Sequence, residues 1–156
     1  MKNPTYLKEA VQLAVDNVEN KGGPFGAIIT DKNGTIIGEG TNIVTKSNDP
    51  TAHAEIQAIR QACQAKQTFQ LSDCILYTSC EPCPMCLGAI YWSRIEKVYY
   101  AADQKQAAAV GFDDAFIYEE IEKAPHERQI PFQEISLEER NQPFEEWNNK
   151  PDKIKY

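Results

Sequence analysis

The sequence predicts an α/β domain with one sheet covered on both faces by helices. Three observations lead there. Apolar residues recur at helical spacing near the N-terminus and again after residue 53. Short apolar runs of strand length lie between these segments. A strand–helix–strand succession with short connections spans residues 74–101. At 156 residues the chain is one ordinary domain, long enough to bury about 70% of its unfolded surface.

Taking the elements in order, Leu7, Ala10, Val11, Ala14, Val15 and Val18 form an apolar stripe, so residues 5–20 should be an amphipathic helix. Gly22, Gly23 and Pro24 end it. Residues 25–30 and 35–40 are apolar runs around Asp31-Lys32-Asn33-Gly34, and the Asn-Gly pair signals a β-hairpin. Residues 53–66 form a second helix with Ile56, Ile59 and Cys63 inward. A strand at 74–79 follows. Pro82 and Pro84 flank the start of a helix near 84–93, where proline is tolerated in the first turn. The next strand, 97–101, should run parallel to 74–79, because the helical crossover returns the chain in the same direction. Residues 114–122 and 137–148 read as further helices, with a short strand at 131–136 between them.

Composition narrows the function. Hydrophobic residues at 42% and charged residues at 25% supply a core, so disorder is excluded as the main state. The net charge is -7. Residues 1–78 carry seven basic and eight acidic side chains, while residues 79–156 carry nine and fifteen. An acidic second half argues against a polynucleotide partner, since such binding draws its affinity from Lys and Arg on phosphates. No 18-residue apolar stretch predicts a membrane span, and no apolar core predicts an export signal. A cytoplasmic protein is expected, with its five cysteines reduced. They stand at 63, 74, 80, 83 and 86, an odd cluster that suits metal or redox chemistry better than a disulfide framework.

The chemistry concentrates in His53-Ala54-Glu55 and Pro82-Cys83-Pro84-Met85-Cys86, each at a predicted helix start. Cys83 and Cys86 lie three apart and share a helical face. A helix N-terminus favours thiolate, the form that binds metal. Of the two histidines, His53 is the stronger ligand candidate and His126 the weaker, because His53 opens a helix with Glu55 beside it. Two thiolates and an imidazole suit zinc, and three protein ligands leave a fourth position for water, the pattern of a catalytic site. Glu55 then serves as general acid/base. Residues two apart on a regular helix face opposite ways, so His53 and Glu55 can share a site only at the first turn. The alternatives are a redox pair or a structural half-site at Cys83–Cys86, with Cys80 as a substitute or fourth ligand. Cys63 and Cys74 read as core, and Met85 as packing.

This His-x-Glu…Pro-Cys-x-x-Cys arrangement is the signature of zinc deaminases. The chain resembles the cytidine deaminase superfamily over nearly its whole length. Within that superfamily it resembles the small bacterial guanine deaminases through GGPFGAII at 22–29, GTN at 40–42, SNDPTAHAEI at 47–56, LYTSCEPCPMCLGAIYWSRI at 76–95 and GFDDAFIYEEI at 111–121. The resemblance implies a three-layer α/β/α fold with a mixed five-stranded sheet. It implies a single deaminase domain over 1–156, in a homodimer that exchanges a C-terminal segment of about residues 137–156. The implied reaction is hydrolytic deamination of guanine, a small purine base, to xanthine and ammonia. One Zn²⁺ per subunit would sit on His53, Cys83 and Cys86, with Glu55 and Asp114 as catalytic carboxylates. Asn42 would hydrogen-bond the purine's polar edge, and Ala54 would stand with the substrate-binding residues. Phe25 and Trp92 would line or stack on the ring, and Tyr156 would close the partner's pocket. Each has a structural alternative: Asn42 as hairpin terminator, Phe25 and Trp92 as core, Asp113 or Asp114 as a helix cap, and Tyr156 as a frayed end. A tRNA adenosine deaminase or a cytosine deaminase would use the same zinc site, and a closed four-ligand site would make the protein a zinc-stabilised binding module.

Overall fold

A computed structural model describes residues 4–156. The described chain falls into two compact units, divided between Ala115 and Phe116.

The first unit begins with helix α1 (Pro4–Glu19), followed by strands β1 (Gly23–Thr30) and β2 (Ile36–Asn42). A short α2 (Val44–Ser47) precedes α3 (Ala54–Lys66), β3 (Ile75–Cys80), α4 (Pro84–Trp92), β4 (Lys97–Ala102) and α5 (Gln104–Ala108). The sheet order is β2-β1-β3-β4. β1 is antiparallel to both β2 and β3, and β3 is parallel to β4, as the crossover requires. The hairpin turn is closed by Asp31, whose Oδ1 accepts from Asn33 N and Thr35 N at 2.8 and 2.9 Å, with Gly34 at φ 81°.

Period two sorts the sheet's faces. Ala27, Ile29, Leu76 and Cys74 join Ala54, Ala58 and Ala62 of α3 and Ile90 of α4 in one core. On the opposite face α1 lies so close that a Cβ on Gly26 would sit 2.3 Å from the Ala10 carbonyl oxygen. Asn17 ties this helix down by donating from Nδ2 to the carbonyls of Gly23 and Asn42, each at 2.8 Å. The sheet is therefore mixed and covered on both faces. Of the apolar stripe expected on α1, Ala10 and Ala14 are buried, whereas Val11, Val15 and Val18 are exposed. These valines flank an open apolar cavity of about 520 Å³ between α1 and α5.

The expected fifth strand is corrected: residues 131–136 form no strand, and the described sheet has four. Pro131 has no N–H to donate, and Phe132 N bonds the Pro125 carbonyl in a local turn at 3.1 Å. Those groups are spent on a turn and not on a ladder.

The second unit holds α6 (Ala115–Glu122) from Phe116 onward, two 3₁₀ turns (Pro125–Glu127 and Glu138–Asn141) and α7 (Gln142–Asn149). Arg128 donates from Nε to the Glu120 carbonyl at 3.1 Å and lies over the Phe132 ring. No residue from 116 to 156 is buried. Among the described residues no helix is long and apolar enough to cross a membrane.

Candidate metal and catalytic site

The site forms where two helices begin. The loop before α3 is folded on itself: Asp49 Oδ1 accepts from Thr51 N and Thr51 Oγ1, Asp49 O from Ala52 N, and Ala52 O from Ile43 N. His53 is the N-cap of α3, with extended backbone (φ -73°, ψ 158°) and no side-chain capping bond. Its carbonyl starts the helix by accepting from Gln57 N at 3.0 Å, and its ring is left for other work. Cys83 repeats the arrangement on α4, with φ -67°, ψ 169°, Pro84 at the first helical position, and Leu87 N donating to its carbonyl at 2.8 Å.

The ligand atoms of His53, Cys83 and Cys86 all lie within 4.8 Å of one another. His53 Nδ1 is 3.5 Å from each sulfur. Tetrahedral zinc, with Zn–S about 2.3 Å and Zn–N about 2.0 Å, would separate nitrogen from sulfur by about 3.5 Å. The donor set therefore fits zinc. Cys80 stays out of it, with its thiol toward the Asp103 carbonyl at 3.8 Å. Among the described residues the cluster has three ligands, and the four-ligand alternative loses its fourth. Cys74 is fully buried, as expected of a core residue.

His53 leaves helical geometry at the cap, which removes the two-apart difficulty. Glu55, 5% exposed, turns its carboxylate to the same sulfur that His53 approaches: Cys86 Sγ lies 3.4 Å from Oε2. Thr78 Oγ1 donates to Oε1 at 3.0 Å. Desolvation holds the Glu55 carboxyl above the usual range, against hydrogen bonds that lower it. Hydrogen bonding between the two thiols, the largest cause for each, draws Cys83 down to about 4 and pushes Cys86 up. A hydrogen bond with Cys83 raises the His53 pKa against the effect of burial.

The remaining expected residues divide. Asp113 Oδ1 accepts from Ala115 N at 2.9 Å, an Asx turn that leads into α6. Asp114 is half-buried and its carboxyl is raised, first by desolvation and then by the charges of Cys83, Asp113 and Glu81. Asn42 is half-buried at the end of β2, its Oδ1 accepting from Val44 N at 3.2 Å. Ala54 is fully buried, its carbonyl against Gly40. Phe25 packs on the core and edge-on to Phe112 at 5.0 Å. Trp92 ends α4, at the opposite end from Cys83, and is 64% exposed. Tyr156 belongs to the second unit, edge-on to Trp147 at 6.4 Å. The sequence reading missed Thr78; a lone hydroxyl on the buried face of a period-two strand was the available signal.

An α/β fold whose paired helix N-termini hold a His/Cys/Cys zinc set around a buried glutamate defines a zinc deaminase. The model of the cytidine and deoxycytidylate deaminase zinc-binding region matches residues 1–102, and the chain belongs to that family. It is 58% identical over 157 residues to guanine deaminase of Bacillus subtilis, covering 100% of both chains. A solved structure of guanine deaminase from the same species superposes with a TM-score of 0.97 at 57% identity, covering 100% of this chain and 99% of the other. The tRNA-specific adenosine deaminase of Aquifex aeolicus is 36% identical over 146 residues, 93% of each chain.

Proposed function

We propose that the protein hydrolyses free guanine to xanthine and ammonia, using one Zn²⁺ per subunit. The observation that carries this is the Glu55 carboxylate beside the His53–Cys83–Cys86 set, in a chain similar over its full length to a guanine deaminase. When bound, zinc supplies the Lewis acidity that makes water a nucleophile near neutral pH. Glu55 takes a proton from the attacking water and delivers it to the ring nitrogen next to the carbon under attack. Glu55 and Asp114 then move protons onto the exocyclic amine, which leaves as ammonia. Two carboxylates suit the geometry of the reaction, since the water and the leaving amine lie on different sides of that carbon. Asn42 holds the purine's polar edge, Ala54 borders it at the start of α3, and Phe25 lines the ring.

The working unit is a homodimer in which about residues 137–156 are exchanged and the partner's Tyr156 closes the pocket. Supporting this, residues 116–156 include no buried side chain yet expose Phe116, Ile121, Ile130, Ile135 and Phe144 by more than half, and apolar surface on this scale marks an interface. The protein is assigned to the cytoplasm, where its five cysteines, none of them in a disulfide, stay reduced. A tRNA substrate is disfavoured by residues 113–146, which carry eleven acidic and three basic side chains. The test is a panel of guanine, adenine, cytosine, their nucleosides and a tRNA stem-loop, with ammonia measured for each. Ammonia from guanine alone is expected; release from the stem-loop or cytosine instead would overturn the assignment.

A further inference from the structure

β3 alternates its side chains, so Leu76 and Thr78 face α3, while Ser79 faces the other way and accepts from Gly26 N at 3.0 Å. Thr78 is 1% exposed, on the face where Ala27, Ile29 and Leu76 pack against α3. Valine has nearly the same shape, is a good strand former, and would bury no hydroxyl there. The hydroxyl has two acceptors within reach, Glu55 Oε1 at 3.0 Å and the Cys80 carbonyl at 3.2 Å. Its bond to Oε1 removes the freedom of a terminal carboxylate torsion that is otherwise broad. With Oε1 occupied, Oε2 is the oxygen turned to the metal-binding corner, 3.4 Å from Cys86 Sγ.

We propose that Thr78 is a positioning residue: its hydroxyl clamps Glu55 through Oε1 so that Oε2 handles the transferred proton. The proposal rests on the deaminase reading of Glu55. Its test compares wild type, Thr78→Val, Thr78→Ser and Glu55→Gln in kcat and KM on guanine, metal content, Tm, and the visible absorption of the cobalt-substituted proteins. Thr78→Val should lower kcat by about 10- to 100-fold, the factor expected for one charge-assisted hydrogen bond, with KM within about threefold. Thr78→Ser, which restores the hydroxyl, should return kcat to within about threefold of wild type. Metal content and the cobalt spectrum should be unchanged in both, since neither touches a ligand. Wild-type kcat in Thr78→Val, an equal loss in Thr78→Ser, or loss of metal or fold in Thr78→Val would each overturn the clamp. Full activity in Glu55→Gln would sink the reading of Glu55 as well, whereas an inactive Glu55→Gln beside a fully active Thr78→Val would sink the clamp alone.

Discussion

Burial keeps the Glu55 carboxyl above its ordinary value of 4.5, and desolvation is the largest cause. A raised folded pKa means that the stability tied to this group is fully present below 4.5 and is lost as pH rises through the folded value. Metal-free Glu55→Gln should therefore gain stability over metal-free wild type as pH rises above 4.5, read as a widening Tm difference. With zinc restored, Glu55→Gln should retain the metal and lose about 10²- to 10⁴-fold in kcat, as elemental analysis and an ammonia assay would show. The adjacent aspartates should separate in the same assays. Asp114→Asn is expected to lower kcat by about tenfold or more. Asp113→Asn should leave kcat within about threefold, because asparagine closes the same Asx turn as aspartate.

At the scale of elements, the site depends on how closely α3 sits on the sheet. Gly38 and Gly40 of β2 make that approach possible, since a Cβ on Gly40 would fall 2.0 Å from the Ala54 carbonyl oxygen and 2.7 Å from Ala58 N. Both contacts are to helix backbone, which cannot rotate away. Gly40→Ala should cost about 2–3 kcal/mol, a fall in Tm of roughly 5–10 °C by calorimetry. It should also weaken metal binding, because the displaced turn begins at His53. A drop in Tm with unchanged metal affinity would show that α3 can shift without moving its cap.

For the whole molecule, the exposed apolar side chains of residues 116–156 and the valines along α1 predict self-association. Sedimentation should give a dimer at micromolar concentration. Removing the last few residues should then reduce guanine turnover while leaving bound zinc in place. A monomer with full activity would remove both the exchanged segment and Tyr156 from the proposed site. Net charge bears on a different question: an acidic surface over 113–146 fits a small neutral base and repels a phosphate backbone.

Local physics made much of this legible from the residues alone. Proline at a helix start, cysteines one helical turn apart, and an Asn-Gly turn each act within a few positions, so α4, the paired thiols and the hairpin could be read directly. The parallel pairing of β3 and β4 followed from chain connectivity. The tertiary structure decided what depends on distant groups meeting. His53 reaches sulfurs thirty residues away because two helix caps converge, and it shares a site with Glu55 because the cap is extended and not helical. Asp113 and Asp114 look alike in sequence and are separated by which one closes the turn into α6. Thr78 gains its role from the helix laid over its strand, and residues 131–136 join no strand: Pro131 has no N–H, and Phe132 N bonds back to the Pro125 carbonyl. Spacing carries the preferences of neighbouring residues, but a contact across the fold depends on where every intervening element packs.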